Sequence, residues 1–379
     1  MPTVENSLTV IPVQTSDELE RFIRFPWQIY QDDPCWVPPL LPQQRRFLDP
    51  RTGPFFAIGQ ARYFLAYRLG RPVGRVSAHI NFRYDNYHDN YTGFFGFFES
   101  VPDQEVAAAL FKAAAAWLRQ QGRTRLVGPM NFTVYDEMGL LVEGFDTMPA
   151  IFQTHNPSYY QELLTNIGFR KAMDWVGLRL TERNIDTHAM EEAMFDIINR
   201  SSLTFTTYSK QELARRAEEA LELFNQAWAP NWGHVPVARI QFEAFLKELK
   251  PLLRPELVTM ILDGDRLAAF SIVIPDLNPL VQKFNGRLNW WRKIRLLYEA
   301  KWAPIRKARA FVLGVSQPYQ RRRLHHAMIM RFYLYLVRHT PCEFCDISLV
   351  PANLTHWLKV LESFGAQRYK LFRVFEKNI

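Results

Sequence analysis

The sequence contains little cysteine and no long apolar run. Three cysteines in 379 residues cannot build a disulfide framework, so we expect a reducing compartment. No stretch of about 18 apolar residues occurs, and so no membrane-spanning helix is predicted. The first residues lack the basic-then-apolar profile of a signal peptide. These absences predict a cytoplasmic protein and leave association with a membrane surface open.

The motifs of several enzyme classes are also missing. There is no Gly-rich loop of the Walker type, no His-Glu-x-x-His and no Gly-x-Ser-x-Gly. Cys342 and Cys345 form a lone Cys-x-x-Cys within an apolar run that is typical of a buried strand. No second cysteine pair completes a zinc site, so we predict no metal.

Apolar sequence is abundant enough for two cores. The chain is 48% hydrophobic and 22% charged over 379 residues, which predicts two globular domains of about 150–200 residues each. The formal net charge of +8 favours an anionic partner: a phosphate-bearing cofactor, nucleic acid or a membrane surface. Excess Lys and Arg that keep the protein soluble would explain the charge equally well.

One cassette of residues occurs twice, 197 positions apart. Each copy has an Asn, an aromatic residue four positions later and a glycine after a helical run: Asn156, Tyr160 and Gly168, then Asn353, Trp357 and Gly365. Tight turns around Gly70 and Gly264 repeat at an offset of 194. Two matches at nearly one offset indicate duplication of a whole domain, because solenoid repeats recur about every 20–50 residues.

The predicted elements follow the same order in both halves. Each half reads β-α-β-β-(β-α)-β-α-β, which predicts an α/β (α+β) fold with a mixed, partly antiparallel sheet flanked by helices. We divide the chain into an N-terminal domain over 1–180, a linker helix over 181–203 and a C-terminal domain over 204–379. One helix is expected over 15–30, and a proline-rich loop over 34–42.

The halves differ most in the turn between the fourth strand and the long helix after it. In the second half this turn, 315–327, carries three arginines and two histidines, whereas the first half has Asp103 and Glu105 there. A helix N-terminus presents free backbone N–H groups and the positive end of the helix dipole, so it binds anions. The acidic residues would repel phosphate. We therefore expect a phosphate-bearing cofactor in the second half only.

This turn resembles the Gln/Arg-x-x-Gly-x-Gly/Ala loop of the GNAT superfamily of acyl-CoA N-acyltransferases. In that superfamily the loop amides hold the pyrophosphate of coenzyme A, and an Asn of the next helix lies near the pantetheine arm. The resemblance covers about 204–379 and implies two tandem GNAT-like domains, the first without a CoA loop. The cofactor-binding residues that it implies are Val315, Gln320, Arg321, Arg322, Arg323, Leu324, His325, His326, Ala327 and Asn353.

The chain departs from the superfamily pattern in two ways. Arg323 and His325 stand where the superfamily usually has small residues, chiefly glycine, so their side chains either crowd the pyrophosphate or add charge beside it. The tyrosine that many members use as general acid is replaced by Leu361. Protonation of the leaving thiolate then comes from elsewhere, or is not needed because a thiolate already leaves well.

Three residues outside the loop are candidates for acceptor chemistry. His234 follows the first helix of the second half and is a candidate general base, because imidazole titrates near neutrality. A packing role is its alternative. Asp276 and Asn278 lie at the mouth of the second hairpin, where they either orient an amine or cap the loop.

Residues 286–306 form a segment that a minimal GNAT domain does not need. On a helix Trp291, Ile294, Tyr298 and Trp302 fall near one another, with Arg and Lys beside them. This composition is typical of an interfacial helix on a membrane. It equally fits a surface helix packed on the core, whose long basic side chains reach out to solvent.

The leading prediction is a cytoplasmic, bacterial N-acyltransferase that moves an acyl group from acyl-CoA to an amine. A backbone amide near Val315 is expected to polarise the thioester carbonyl. The layout resembles bacterial tandem-GNAT proteins for which lipid N-acylation, including ceramide formation, has been proposed, so an amphiphilic or lipid amine is one implied acceptor. Two alternatives stay open: a Fem-type transferase that uses aminoacyl-tRNA, and a non-catalytic protein that binds membranes through 286–306.

Overall fold

The computed structural model describes residues 7–200, 202–207 and 209–379 in two compact units. The first unit comprises the chain up to Val176 together with Asn278–Leu288 and Lys370–Ile379. The second comprises Gly177–Leu277 and Asn289–Tyr369. This division differs from the predicted one, because two segments assigned to the C-terminal domain belong to the first unit.

The strands, in chain order, are β1 (Leu8–Pro12), β2 (Gly59–Arg68), β3 (Arg71–Asn81), β4 (Thr92–Ser100), β5 (Arg125–Gly128), β6 (Leu140–Glu143), β7 (Arg170–Leu180), β8 (Thr204–Thr207), β9 (Val258–Asp263), β10 (Arg266–Pro275), β11 (Lys307–Val315), β12 (Phe344–Pro351) and β13 (Gln367–Asn378).

The α-helices are α1 (Ser16–Arg24), α2 (Pro26–Ile29), α3 (Leu41–Leu48), α4 (Phe82–His88), α5 (Gln104–Gln120), α6 (Tyr160–Asn166), α7 (Thr187–Arg200), α8 (Lys210–Arg215), α9 (Ala217–Trp228), α10 (Arg239–Leu249), α11 (Asn278–Phe284), α12 (Trp290–Lys301), α13 (Leu324–His339) and α14 (Thr355–Ser363). Three short 3₁₀-helices lie at Pro54–Ala57, Pro255–Leu257 and Gln317–Arg322. The mixed α/β content confirms the predicted fold class. Among the described residues, none of the helices is long and apolar enough to cross a bilayer.

The sheet of the first unit runs in the order β1-β2-β3-β4-β5-β13-β7, with β6 paired to β13. Strands β1 to β4 are antiparallel neighbours, and β4 pairs with β5 in parallel over 92–94. The last strand of the chain runs antiparallel to β5, with Phe375 opposite Gly128. This long-range pairing explains why 370–379 belong to the first unit.

Helix α5 covers one face of that sheet. Asp103 is its N-cap, and its carboxylate accepts hydrogen bonds from the N–H groups of Glu105 and Val106 at 2.8 and 3.4 Å. The helix buries Phe111 against Phe95, with ring centroids 4.9 Å apart. The predicted Ala-rich helix is therefore held by both a side-chain cap and an aromatic core.

The sheet of the second unit runs in the order β12-β11-β10-β9-β8, and the residues 177–180 of β7 belong to the same unit. Strands β8 to β11 are antiparallel neighbours. β11 and β12 are parallel, with Lys307 opposite Phe344 and Ala310 opposite Ile347. In both units an antiparallel run therefore ends in one parallel pair, as expected of a duplicated domain.

The two cassettes share a backbone conformation but use their Asn differently. Gly168 ends α6 with φ +91° and Gly365 ends α14 with φ +84°, a region that favours glycine. Asn156 is buried, and its side chain bonds both the N–H and the carbonyl of Leu141, at 2.7 and 3.1 Å. Asn353 is exposed. Asn156 thus holds Leu141 of β6 through hydrogen bonds, whereas the side chain of Asn353 faces solvent.

Two predicted segments of the N-terminal half are wrong in detail. The helix expected over 15–30 is divided into α1 and α2, because Pro26 has no N–H to continue the helical hydrogen bonds. The loop expected over 34–42 ends sooner, since α3 begins at Leu41. Pro42 lies in its first turn, where a missing N–H costs nothing.

Candidate functional site

A cavity opens in the second unit beside β11 and β12. Its volume is about 260 Å³, and residues of both strands line it, among them Ala310 and Ile347. Helices α13 and α14 close it with Ile329, Phe332 and Leu361, all buried. The site is thus formed by two neighbouring strands and the helices that follow them.

The wall of the cavity is mainly apolar. Besides these three residues, Phe311 and Leu349 contribute apolar surface. The polar side chains in the wall are Asn231, Gln320 and His325, with the indoles of Trp228 and Trp357. An apolar cavity with a few polar groups suits a ligand that is partly hydrocarbon.

Strand β11 is irregular beside the cavity. In its pairing with β10, Val312 lies opposite Ile272 and Ala310 opposite Val273, so Phe311 is an extra residue. Such a bulge interrupts the ladder and re-aims the strand. The predicted position Val315 also lines the cavity, four residues further on.

The turn after β11 is a 3₁₀-helix tied to the sheet. Tyr319 is buried, and its hydroxyl donates to the carboxylate of Asp263 at 2.8 Å. The N–H of Ser316 donates to the carbonyl of Ala268 at 2.9 Å. Arg323 follows with φ +58°, a conformation that glycine adopts without strain. The chain therefore keeps the glycine-like backbone where the resembling family has a small residue.

The N-terminus of α13 is suited to an anion. No described side chain caps it, and its N-cap residue is Arg323. Arg321 and Arg322 are exposed on the preceding turn, with the guanidinium of Arg322 5.1 Å from the ring centre of Tyr319. Free N–H groups, the helix dipole and three guanidinium groups all favour phosphate at this end.

The first unit uses the equivalent places for internal contacts. The carboxylate of Asp103 occupies the start of α5 and also pairs with Arg68. Where β4 and β5 separate, the side chain of Asn131 accepts a hydrogen bond from the N–H of Phe97 at 2.8 Å. In the first unit the chain itself therefore occupies these two positions.

A buried network closes the end of β4 in the first unit. The hydroxyls of Tyr30 and Tyr160 donate to Glu99 at 2.8 and 2.7 Å, and the guanidinium of Arg75 lies 3.5 Å from the same carboxylate. Burial raises the pKa of Glu99, against the effect of the Arg75 charge. Tyr160 is the aromatic residue of the first cassette. Its counterpart Trp357 borders the cavity instead.

His325 is part of the cavity wall. Its ring stands edge-on to Trp357 at 5.3 Å and lies 4.3 Å from the ring of His326. Burial, followed by the charges of His326, His356 and Arg323, lowers the pKa of His325 to about 4. The imidazole is therefore neutral near pH 7 and adds a polar group, not a positive charge, to the site.

The structure does not gather the three candidate acceptor residues. His234 is buried in the turn after α9, where its N–H donates to the carbonyl of Asn231 at 3.1 Å. Asn231 lines the cavity, whereas His234 is not among the described lining residues. Asp276 belongs to the second unit, and Asn278 to the first, where it donates to the carbonyl of Pro149 at 2.9 Å. Both roles considered for Asp276 and Asn278, and the role of His234, stay predictions.

The cofactor residues implied by the resemblance occupy three kinds of place. Val315, Gln320 and His325 line the cavity, and the arginines over 321–323 surround the start of α13. Leu324 and Ala327 are buried in the core of the second unit, His326 is half-buried, and Asn353 is exposed beside Leu354, a lining residue.

Sequence reasoning named His325 as a candidate but missed Ile329 and Phe332 on α13 and the cavity residues of α9. Ile329 and Phe332 follow His325 at i+4 and i+7, so the three share one helix face, and this spacing could have found them. Trp228 ends α9, and no local pattern links it to that face. Its place depends on how α9 packs on the sheet.

The cysteines are free thiols. Cys342 and Cys345 are buried, as the strand prediction expected, and burial raises the pKa of Cys342 to about 11. Across 7–200, 202–207 and 209–379, no group of three or more His, Cys, Asp and Glu side chains is arranged to hold a metal ion.

The fold is that of a tandem GNAT protein. A solved tandem GNAT protein from the clavulanic acid biosynthesis pathway matches it with a TM-score of 0.59 over 98% of both chains, at 12% identity. A GCN5-related N-acetyltransferase from Sphaerobacter thermophilus matches with a TM-score of 0.52 over 98% of this chain and 95% of that one, at 11% identity. No model of a protein family matches the sequence.

Two curated proteins are similar over almost the whole chain. The bacterial ceramide synthase of Caulobacter vibrioides (strain NA1000 / CB15N) is 32% identical over 383 residues, which cover 98% of each chain. Protein YghO of Escherichia coli (strain K12) is 29% identical over 367 residues, 96% of this chain and 93% of that one. The chain belongs to the family of the bacterial ceramide synthase, and its predicted tandem-GNAT fold is confirmed.

Proposed function

We propose that the chain is an acyl-CoA-dependent N-acyltransferase that acylates an amphiphilic amine. The observation that carries this proposal is the apolar cavity lined by β11 and β12, beside the uncapped start of α13. One place offers both room for hydrocarbon and a positive end for phosphate. The family relationship to a bacterial ceramide synthase supports a lipid-type acceptor, since a ceramide is the N-acyl derivative of a long-chain amino alcohol.

The donor's phosphates would bind at the start of α13. The N–H groups of its first turn donate to the pyrophosphate, and the guanidinium groups over 321–323 add charge-assisted contacts. These side chains are exposed, so their contribution depends on the salt concentration. Asn353, whose side chain is exposed, would contact the pantetheine arm.

The cavity would hold the thioester end of the donor. Phe311, Ile329 and Phe332 give it an apolar wall, and each methylene buried there contributes about 0.8 kcal/mol. About two methylenes therefore strengthen binding tenfold for as long as the chain stays inside. A long-chain thioester should bind more tightly than acetyl-CoA.

The chemistry is aminolysis of a thioester. The acceptor nitrogen attacks the carbonyl carbon, a C–N bond forms, the C–S bond breaks, and the CoA thiolate takes up the proton that the nitrogen releases. A backbone N–H of β11 near Val315 polarises the carbonyl oxygen, and this electrostatic contribution is the largest one that such a site makes. Leu361 borders the cavity without a hydroxyl, so the proton reaches sulfur from the nitrogen or through water.

A transfer assay tests the proposal. The full chain would be incubated with hexadecanoyl-CoA and either a long-chain amino alcohol or ethanolamine, and free thiol and amide product would be measured. We expect product with the long-chain amine. Ala227→Phe, which fills the cavity, should abolish it, whereas Ala229→Phe, at an exposed position two residues away, should not.

Three outcomes would contradict the proposal. If no thiol is released with either amine, the protein does not transfer acyl groups from acyl-CoA to these amines. Transfer from aminoacyl-tRNA, but not from acyl-CoA, would favour the Fem-type alternative. Equal activity of Ala227→Phe and Ala229→Phe would show that the reaction does not use this cavity, even if the transfer itself occurs.

A further inference from the structure

Helix α12 has a packed face and an exposed apolar face. Ala300 is buried and Leu296 half-buried on the packed side. On the opposite side lie five large apolar residues of the helix and its C-cap tryptophan. We call these six residues the aromatic face: Trp290, Trp291, Ile294, Leu297, Tyr298 and Trp302, exposed by 65, 73, 41, 46, 53 and 68%.

The aromatic face is continuous. At about 100° per residue, its six members fall within an arc of about 140°, and the packed residues lie on the far side of the helix. Scattered apolar residues on a surface need no explanation, but a contiguous group of this size marks an interaction site. The sequence left open whether this helix packs on the core or faces outward. The exposed fractions of these side chains show that the aromatic face points outward to solvent.

The helix is firmly attached to the second unit. The guanidinium of Arg254 donates to three backbone carbonyls at the end of α12, at 2.7–2.8 Å. The ammonium of Lys301 donates to the carbonyls of Lys250 and Leu253 at 3.0 and 2.6 Å. Asn289 caps the other end, accepting from the N–H of Arg292 at 3.0 Å. The aromatic face is therefore held in place facing outward.

Positive charge surrounds the aromatic face. Residues 289–306 contain five Lys and Arg and one Glu, a formal net charge of +4. Arg292, Lys293 and Arg295 follow the exposed tryptophans directly, and Lys293 and Arg295 are exposed themselves. Basic residues beside Trp and Tyr are what an anionic headgroup layer attracts, with the rings entering the boundary between headgroups and chains.

We infer that the aromatic face docks the protein on the surface of an anionic lipid bilayer. The helix, 12 residues long, is too short to span a membrane, so it lies in the interface. The charge complements anionic lipid, and tryptophan and tyrosine are the residues most enriched at that boundary. The inference rests on α12 alone and does not depend on the proposed acyl transfer.

Vesicle co-sedimentation of the full chain tests it. Vesicles of phosphatidylcholine with roughly one-third phosphatidylglycerol should bind the protein, pure phosphatidylcholine should bind it weakly, and added NaCl should weaken binding. The triple variant W290S/W291S/W302S should lower the partition coefficient roughly 100-fold, because three rings no longer leave water. A control with exposed tyrosines changed elsewhere, Y87S/Y91S, should bind like the wild type.

A charge variant gives a second, independent measurement. R292E/K293E/R295E should lower the partition into anionic vesicles at least roughly tenfold and reduce its dependence on salt. The matched control K112E/R119E reverses two exposed charges on α5 and should change binding little. If the tryptophan variant loses the native circular dichroism spectrum, the charge variant still tests whether the aromatic face binds anionic lipid.

Three results would overturn the inference. These are no binding of the wild type to anionic vesicles, unchanged binding of both the tryptophan and charge variants, or a dimer in sedimentation velocity that the tryptophan variant dissociates. The last would assign the aromatic face to self-association. Titration of the tryptophan variant with acyl-CoA separates this inference from the proposed function, since we expect that affinity to be unchanged.

Discussion

The same substitution at the two cassette positions should have different effects. Asn156→Ala removes hydrogen bonds to the N–H and carbonyl of Leu141 and to the carbonyl of Pro157, at 2.7, 3.1 and 2.9 Å. It also leaves the buried N–H of Leu141 without the side-chain oxygen that accepts its hydrogen bond. At about 1 kcal/mol for each of the two bonds that the Asn156 amide donates and 1–3 kcal/mol for the buried donor left unsatisfied, we expect a loss of about 3–5 kcal/mol.

Asn353→Ala is the matched control. Its side chain is exposed, so the free energy of unfolding should change by less than about 0.5 kcal/mol, whereas acyl-CoA affinity should fall. Urea unfolding of both variants, followed by circular dichroism and tryptophan fluorescence, would give the stability changes. Calorimetry would give the affinities. Equal stability losses at the two positions would refute the reasoning that only the first Asn has a structural role.

Changing all three arginines over 321–323 to alanine should weaken acyl-CoA binding at least about tenfold and reduce its salt dependence in calorimetry; undiminished affinity would remove this site. The free energy of unfolding should fall as the pH drops from about 6.5 towards 4, because folding holds the pKa of His325 at about 4 and the unfolded chain binds the proton first. His325→Gln should flatten this part of a pH series of urea unfolding curves, and an unchanged slope would contradict the buried neutral imidazole. Cys342 and Cys345 should react with a thiol reagent far more slowly than the half-buried Cys35, because both are buried and burial raises the pKa of both thiols. Timed labelling followed by mass spectrometry would measure the three rates, and equal rates would contradict this expectation.

Local signals in the sequence predicted much of the fold. Gly168 and Gly365 mark equivalent helix ends because both need a left-handed backbone, and the offset between the cassettes indicated the duplication. Asp103 was correctly expected at the start of a helix, where it serves as the cap. These features depend on neighbours within a few residues, which a sequence pattern can report.

The remainder depends on contacts between distant segments. The pairing of Phe375 with Gly128 assigns the last strand to the first unit, and no local pattern announces it. The cavity is lined by β11 and β12 together with residues as far apart in the sequence as Trp228 and Leu361. A sequence motif indicated the turn beside the cavity but could not indicate the space itself.

The sequence also left the character of two features undecided. His325 lay within a basic run, yet its burial makes it a neutral group of the cavity wall. The aromatic and basic segment over 286–306 fitted a packed helix and an interfacial helix equally. Only the exposures of its side chains showed which face points outward.

Calorimetric titration of the full chain with acetyl-CoA and with a long-chain acyl-CoA, below its micelle concentration, tests the central claim most directly. We predict that both bind at one site and that the long-chain thioester binds at least about tenfold more tightly, because its methylenes enter the apolar cavity. Ala227→Phe should remove this advantage, and Ala229→Phe should keep it. No binding of either thioester, or an advantage that Ala227→Phe leaves intact, would contradict the assignment of the donor to this cavity.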